Sequence, residues 1–259
     1  MRIKFHKMSK QERNRIKQIL VIMILGWVLI IGFNYLIELP GSKADQLCPL
    51  PVAPEAVHGT VTLQPAAGNN VIDCSAQDVV IASDGELVVE RYYTANGSRD
   101  GDGGAVLLVR NLTVEAGGKI TATGKGYRPG ETDNGSGNAV ASTDNVGGSG
   151  GGYGGAGGEG KGNGVDLPGD TGTAYGDTYQ PILLGGAGGN SGLSSGGNGG
   201  GAIKILASEL VTIDGTIEAN GLNGKSSSLT AGGGGAGGSI WIEAESLAGN
   251  GLVEAKGGG

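Results

Sequence analysis

The stretch that decides the fold is GGGAIKILASELVTIDGTIEANG, residues 199–221, which returns as GGSIWIEAESLAGNGLVEAKG over residues 237–257. In both, glycines lead into Ile203-Lys204-Ile205 or Ile240-Trp241-Ile242. A leucine follows, Leu210 or Leu247, then a turn glycine, Gly215 or Gly251. Ile217 or Val253, Ala219 or Ala255, and another glycine close the unit. An earlier copy, GGAVLLVRNLTVEAGGKITATG, occupies residues 103–124 and is one residue shorter between its first two segments. A repeat constrains the architecture before any local signal does.

Each copy holds three short segments with a two-residue period, the mark of strands with one buried face. The positions that stay apolar are Val106/Ile203/Ile240, Leu108/Ile205/Ile242, Leu112/Leu210/Leu247, Ile120/Ile217/Val253 and Ala122/Ala219/Ala255. Between them the side chains vary, as at Leu107/Lys204/Trp241 and Thr121/Glu218/Glu254, which predicts an outer face. The segments are too short for helices, and glycine at the corners opposes helix as well. The pattern predicts an all-β chain, a β-solenoid of the right-handed parallel β-helix kind with three strands per coil. Like residues would then stack about 4.8 Å apart. An antiparallel sandwich of the same strands is the competing architecture, but it gives no reason for one inward residue to recur at one place in every unit.

Upstream, residues 1–18 carry seven basic side chains against Glu12, a charge of +6. Residues 19–37, ILVIMILGWVLIIGFNYLI, contain no charged side chain. At 1.5 Å per residue they match the hydrocarbon thickness of a bilayer. The reading is a signal-anchor helix over 19–39 in the cytoplasmic membrane, crossing once, with the basic tail inside and the remainder exported. The lipid bilayer is thus an expected partner. Cleavage as a signal peptide is the alternative, weakened by the long apolar core and by the poor site at Ser42-Lys43-Ala44.

Residues 40–59 read as a Pro-rich spacer and 60–259 as the solenoid. Cys48 in the spacer and Cys74 beyond it fit one disulfide on the exported side, though two free thiols would fit the sequence equally. Residues 61–95 read as irregular first coils or a cap, which an open solenoid end requires. The repeat is interrupted over about 125–198. From Gly147 to Gly201, 25 of 55 residues are glycine, too few side chains for a core. Either this insertion is a solvated flap, or it lies as extended backbone packed on itself or on the solenoid flank, where only glycine permits close approach. The second is preferred, because glycine runs lead directly into the strands at Ala105, Ala202 and Ser239. The closing AKGGG stops where another glycine arch would begin, which reads as a piece of a longer protein.

With GGGGAGGSIWIEAESLAGNGLVEAKGG and the copy before it in view, residues 79–259 resemble the glycine-rich β-helical repeat proteins of bacterial cell surfaces. The resemblance implies the solenoid fold, an envelope location and an adhesive or scaffolding role. Leu222-Asn223 and Lys256 depart slightly from that family's plain glycine corners.

The chain carries −7 overall, so with +6 in its first eighteen residues the rest carries −13. That excludes nucleic acid as a partner of the exported part. The outward acids are the candidates for chemistry. Glu218 and Glu254 occupy equivalent positions and should stack, with Glu243 and Glu245 nearby. Such carboxylates could act on sugar or bind calcium, although a solvated acidic face accounts for them more simply. Trp241 could stack on a sugar or cover neighbouring glycines. Arg99-Asp100-Gly101-Asp102-Gly103-Gly104 faintly resembles a calcium turn without the required iteration. His58 stands without a ligand cluster, so no metal or cofactor is expected. No nucleophile, phosphate-loop or zinc motif occurs. The expectation is therefore a non-enzymatic stalk, adhesin or scaffold whose further partners are cell-surface polysaccharide or another envelope protein. A carbohydrate-active or sugar-binding module using the acids and Trp241 is the second reading. An ice- or mineral-binding surface ranks third, for want of a threonine ladder.

Overall fold

A computed structural model describes residues 48–65, 69–92, 103–131, 147–162, 165–166, 171–192, 194–227 and 230–259. The basic tail and the signal-anchor segment lie outside them. Among the described residues twelve strands occur: β1 (Val57–Leu63), β2 (Val71–Val89), β3 (Ala105–Val114), β4 (Lys119–Thr121), β5 (Lys161–Gly162), β6 (Val165–Asp166), β7 (Ala202–Ala207), β8 (Leu210–Ile213), β9 (Thr216–Glu218), β10 (Ser239–Glu243), β11 (Ser246–Ala248) and β12 (Leu252–Glu254). Apart from the antiparallel pair β5–β6, every strand pairing is parallel.

The pairings trace successive turns of a β-helix-like coil with three strand rows. The first row runs β2 (71–74), β3 (105–109), β7, β10. The second runs β2 (78–81), β3 (111–114), β8, β11. The third runs β1, β2 (86–88), β4, β9, β12. Period-two alternation sends every second side chain inward. Ile72, Leu107 and Ile205 stack in the first row, Val79, Leu112 and Val211 in the second, and Leu87, Ile120 and Ile217 in the third, all buried. Removing each from water contributes about 1.5–3 kcal/mol, so the columns are the main source of cohesion.

The third-row columns follow the sequence alignment, but the other rows shift it. In β3 the inward residues are Ala105, Leu107 and Val109, not Val106 and Leu108, because Ala105 pairs with Ile203 and Leu107 with Ile205. AVLLV is apolar on both parities, so period alone could not choose its face. In the second row Leu247 pairs with Val211 rather than Leu210, and Leu210 is 39 % exposed. Four residues separate Leu206 from Val211 but only three separate Glu243 from Leu247, and the extra one bulges at the corner.

The corner between second and third rows is a ladder of glycines, Gly85, Gly118, Gly215 and Gly251. A Cβ on Gly215 would lie 2.2 Å from the Gly118 carbonyl oxygen, and one on Gly251 2.3 Å from that of Gly215. Stacking at this corner leaves no room for a side chain. The corner between first and second rows is polar instead. Arg110 donates two hydrogen bonds of 2.7 Å to Asp78, and Asn111 bridges Asp78 (2.9 Å) and Glu209 (3.0 Å).

The described residues of 61–95 are more regular than expected, for β2 forms a whole coil. The cap lies earlier, in the described residues 48–57 of the expected spacer. Leu50 and Val57 are buried, and the Ala53 amide donates to the Asp78 carbonyl (2.9 Å). No β1 residue pairs with the first row, and there Cys48 is disulfide-bonded to Cys74, their Cα atoms 4.8 Å apart. The edge of the first row is also blunted locally. The Val71 amide donates to the Asn69 side chain (3.1 Å) and the Ser75 amide to Asp73 (3.0 Å), so two donors are satisfied without a neighbouring strand.

Beside the coil, the described part of the glycine-rich insertion is ordered by backbone contact. Its runs are mostly outside any strand ladder, yet they hydrogen-bond to one another. The Gly188 amide donates to Gly197, Gly197 to Gly233, Gly233 to Gly189 and Gly189 to Ser149, at 2.8–2.9 Å. The Gly185 and Gly126 amides donate to Gly200 and Gly199 beside β7. Runs so close exclude side chains, as extended glycine backbone permits. A small apolar cluster of Tyr127, Leu184, Ala187 and Ala202 anchors the bundle. Nearby, buried Arg91 donates to both oxygens of Glu131 (2.7 and 2.9 Å).

Candidate functional site

Glu218 and Glu254 fall on adjacent strands, in register, on the outer side of the third row. Asn220 donates to both carboxylates, at 3.5 Å to Glu218 and 2.8 Å to Glu254, and each also has a lysine beside it. Glu218 accepts from the Thr121 hydroxyl (3.0 Å) and lies 3.5 Å from the Lys119 ammonium. Glu254 accepts from Asn220 (2.8 Å) and contacts Lys256 at 2.5 Å. Lys256, and secondarily Asn220, hold the Glu254 carboxyl below the usual carboxylate range. A general acid needs the opposite shift, produced by burial or a like charge. Glu218 and Glu254 thus form one hydrogen-bonded ladder through Asn220.

Trp241 lies on another row. It is half-buried in the middle of β10, outward, in register with Lys204, whose ammonium nitrogen sits 3.8 Å from the ring centroid. That cation–π contact occupies one face of the indole. The structure therefore does not bring Trp241 together with Glu218 and Glu254, which sit on the third row. It does place Trp241 two residues from Glu243 on the same strand, with Glu245 just beyond.

Of the faint calcium turn, residues 99–102 lie outside the described residues. Gly103 makes an isolated bridge to Leu183, and Gly104 one to Arg91. His58 is exposed and pairs with Asp84 at 2.6 Å. Its hydrogen bond holds the Asp84 carboxyl below its ordinary value. Among the described residues no three His, Cys, Asp or Glu side chains converge on a metal-sized site.

One feature escaped the sequence reading. A shallow groove of about 240 Å³ crosses the outer side of the first row, lined by Ser75, Leu108, Val109, Leu206, Ala207, Ser208 and Glu243. Its signal was the double-parity apolar run AVLLV, which covers the inner column and the groove floor with the same strand. Comparisons with protein-family models, with curated proteins and with solved structures find no match for this chain.

Proposed function

We propose that the chain is a membrane-anchored, extracytoplasmic structural or adhesive protein, a rigid stalk or envelope scaffold. The observation that supports this best is the joining of two stiff parts. The coil is held by inward columns such as Leu87, Ile120 and Ile217, and the glycine bundle is hydrogen-bonded into its flank at Gly126, Gly185 and Gly199–Gly200. Such a body transmits load, whereas the outward Glu218 and Glu254 are tied into a hydrogen-bonded, lysine-paired ladder. We read the winding as right-handed, the hand that parallel crossovers take, and the likeness to glycine-rich β-helical surface proteins as one of fold and location. Residues 19–39 supply the anchor, and cell-surface polysaccharide or another envelope protein the partner.

Membrane fractionation of cells expressing the full chain, with protease added outside intact spheroplasts, tests it. The chain should sediment with membranes and resist alkaline extraction, and external protease should cut it beyond residue 39. A soluble or protease-shielded chain refutes the reading. Turnover of a polysaccharide that is lost in Glu218→Gln would replace it with the carbohydrate-active alternative.

A further inference from the structure

The first-row groove has a composition that defines its occupant. Its lining is drawn from all four coils: Ser75, then Leu108 and Val109, then Leu206 to Ser208, then Glu243. It therefore runs along the coil axis, across the strands. Three inter-strand steps make it about 14 Å long, the reach of roughly four extended residues. The floor is aliphatic, Leu108 beside Leu206 in register, and Glu243 is in register with Leu206 on the next strand.

The carboxylate end carries uncompensated charge. Glu243 and, two residues on, Glu245 are exposed, and neither has an ion-pair or hydrogen-bond partner among the described residues. Lys204, on the same strand as Leu206, is held over the Trp241 ring. Arg110, at the neighbouring corner, is committed to Asp78 by two hydrogen bonds.

We infer that this groove is a docking site for an extended basic peptide segment of a partner protein. Aliphatic side chains of the segment, or the methylene stem of a lysine or arginine, cover Leu108 and Leu206. The cationic head reaches Glu243 and Glu245. Long basic side chains suit a surface that is apolar along its length and acidic at one end, and charge complementarity also speeds the encounter. A neutral glycan fits less well, because the aliphatic floor leaves its hydroxyls without partners. This assignment goes beyond the stalk reading and stands or falls without it.

The test is calorimetric titration of the full chain in detergent with acetyl-Leu-Leu-Lys-Lys-amide. Acetyl-Leu-Leu-Gln-Gln-amide and a neutral tetrasaccharide serve as comparisons. The lysine peptide should bind, and raising salt from about 20 to about 200 mM should weaken it. Glu243→Gln should weaken it about three- to fivefold, the scale of an exposed ion pair, while leaving the circular dichroism unchanged. Leu206→Ser should weaken both peptides. Equal affinity for the glutamine peptide, indifference to Glu243→Gln, preference for the tetrasaccharide, or no binding of the lysine peptide would each overturn the assignment.

Discussion

Replacing Gly188 by alanine probes the glycine bundle directly. A Cβ there would stand 1.9 Å from the Gly233 carbonyl oxygen, 2.4 Å from its carbon and 2.8 Å from the Gly234 oxygen. Ordinary carbon–oxygen contact lies more than an ångström farther out. Every one of these atoms is backbone, so no rotamer change relieves the overlap. The Gly188 amide is itself bonded to Gly197 (2.9 Å), so moving the run away breaks that bond. Overpacking typically costs about 1–3 kcal/mol, and losing a buried backbone hydrogen bond adds about 1–3 kcal/mol. Against this, alanine restricts the unfolded chain and returns about 0.4–1 kcal/mol. The expected net loss is about 3 kcal/mol, a fall in Tm of roughly 6–12 °C for a unit of this size. Gly154 is the control, because nothing lies within 4 Å of a Cβ placed there. Gly154→Ala should leave stability unchanged or raise it by up to about 1 kcal/mol. Thermal unfolding of the full chain, followed by the β-sheet circular dichroism band, measures both. Equal behaviour of the two variants would mean that the insertion is a solvated flap, and the account of its packing would fail.

Three further outcomes follow from other parts of the molecule. Ile217→Ala, at a fully buried inward position, should cost about 2–5 kcal/mol in urea unfolding, whereas Val253→Ala, 46 % exposed, should cost under about 1 kcal/mol; the reverse order would contradict the inward columns. Cys48→Ser opens a link across a sequence separation of 26 and should lower stability by about 3.5 kcal/mol if chain entropy governs, with a fall no larger than that of an exposed serine substitution counting against the cap. Asp78 is held at about 2, below 3.8, first by hydrogen bonds from Arg110 and then from Asn111. Its folded pKa is depressed, so the stability it contributes is complete above pH 3.8 and disappears as pH falls through about 2. The pair is part-exposed, so the loss should not exceed about 1 kcal/mol, and Arg110→Ala should shrink this pH dependence to what the Asn111 hydrogen bond alone sustains.

The third row was legible in the sequence because inward Ile120 and Ile217 alternate with outward polar residues, and a corner glycine fixes where each strand begins. The stacking of Glu218 on Glu254 follows from the same register. The first row was legible only in part. Val106, Leu107 and Leu108 are all apolar, and which of them faces inward is decided by pairing with β7, a partner some hundred residues away in the chain. The second-row offset came from one added residue at a corner, which leaves both leucines plausible when read linearly. Backbone packing of the glycine runs has no side-chain signature at all; only the density of glycine beside strand starts suggested it. The separation of Trp241 from Glu218 and Glu254 needed the row assignment. So did the groove, whose wall is assembled from residues that no linear motif joins.

The three corners differ in how much chain they hold. Between first and second rows the connections span one to three residues, whereas 15, 80 and 20 residues join the third row to the first between successive coils (90–104, 122–201 and 219–238). Lengthening a connection costs only about 0.6 kcal/mol per doubling when its ends are already held, and here the strands hold them. That one corner therefore absorbs connections of very different length while the ladder of Gly85, Gly118, Gly215 and Gly251 stays in step. A cassette grafted there must spare the close-packed Gly185, Gly188, Gly197 and Gly233, where a side chain has no room.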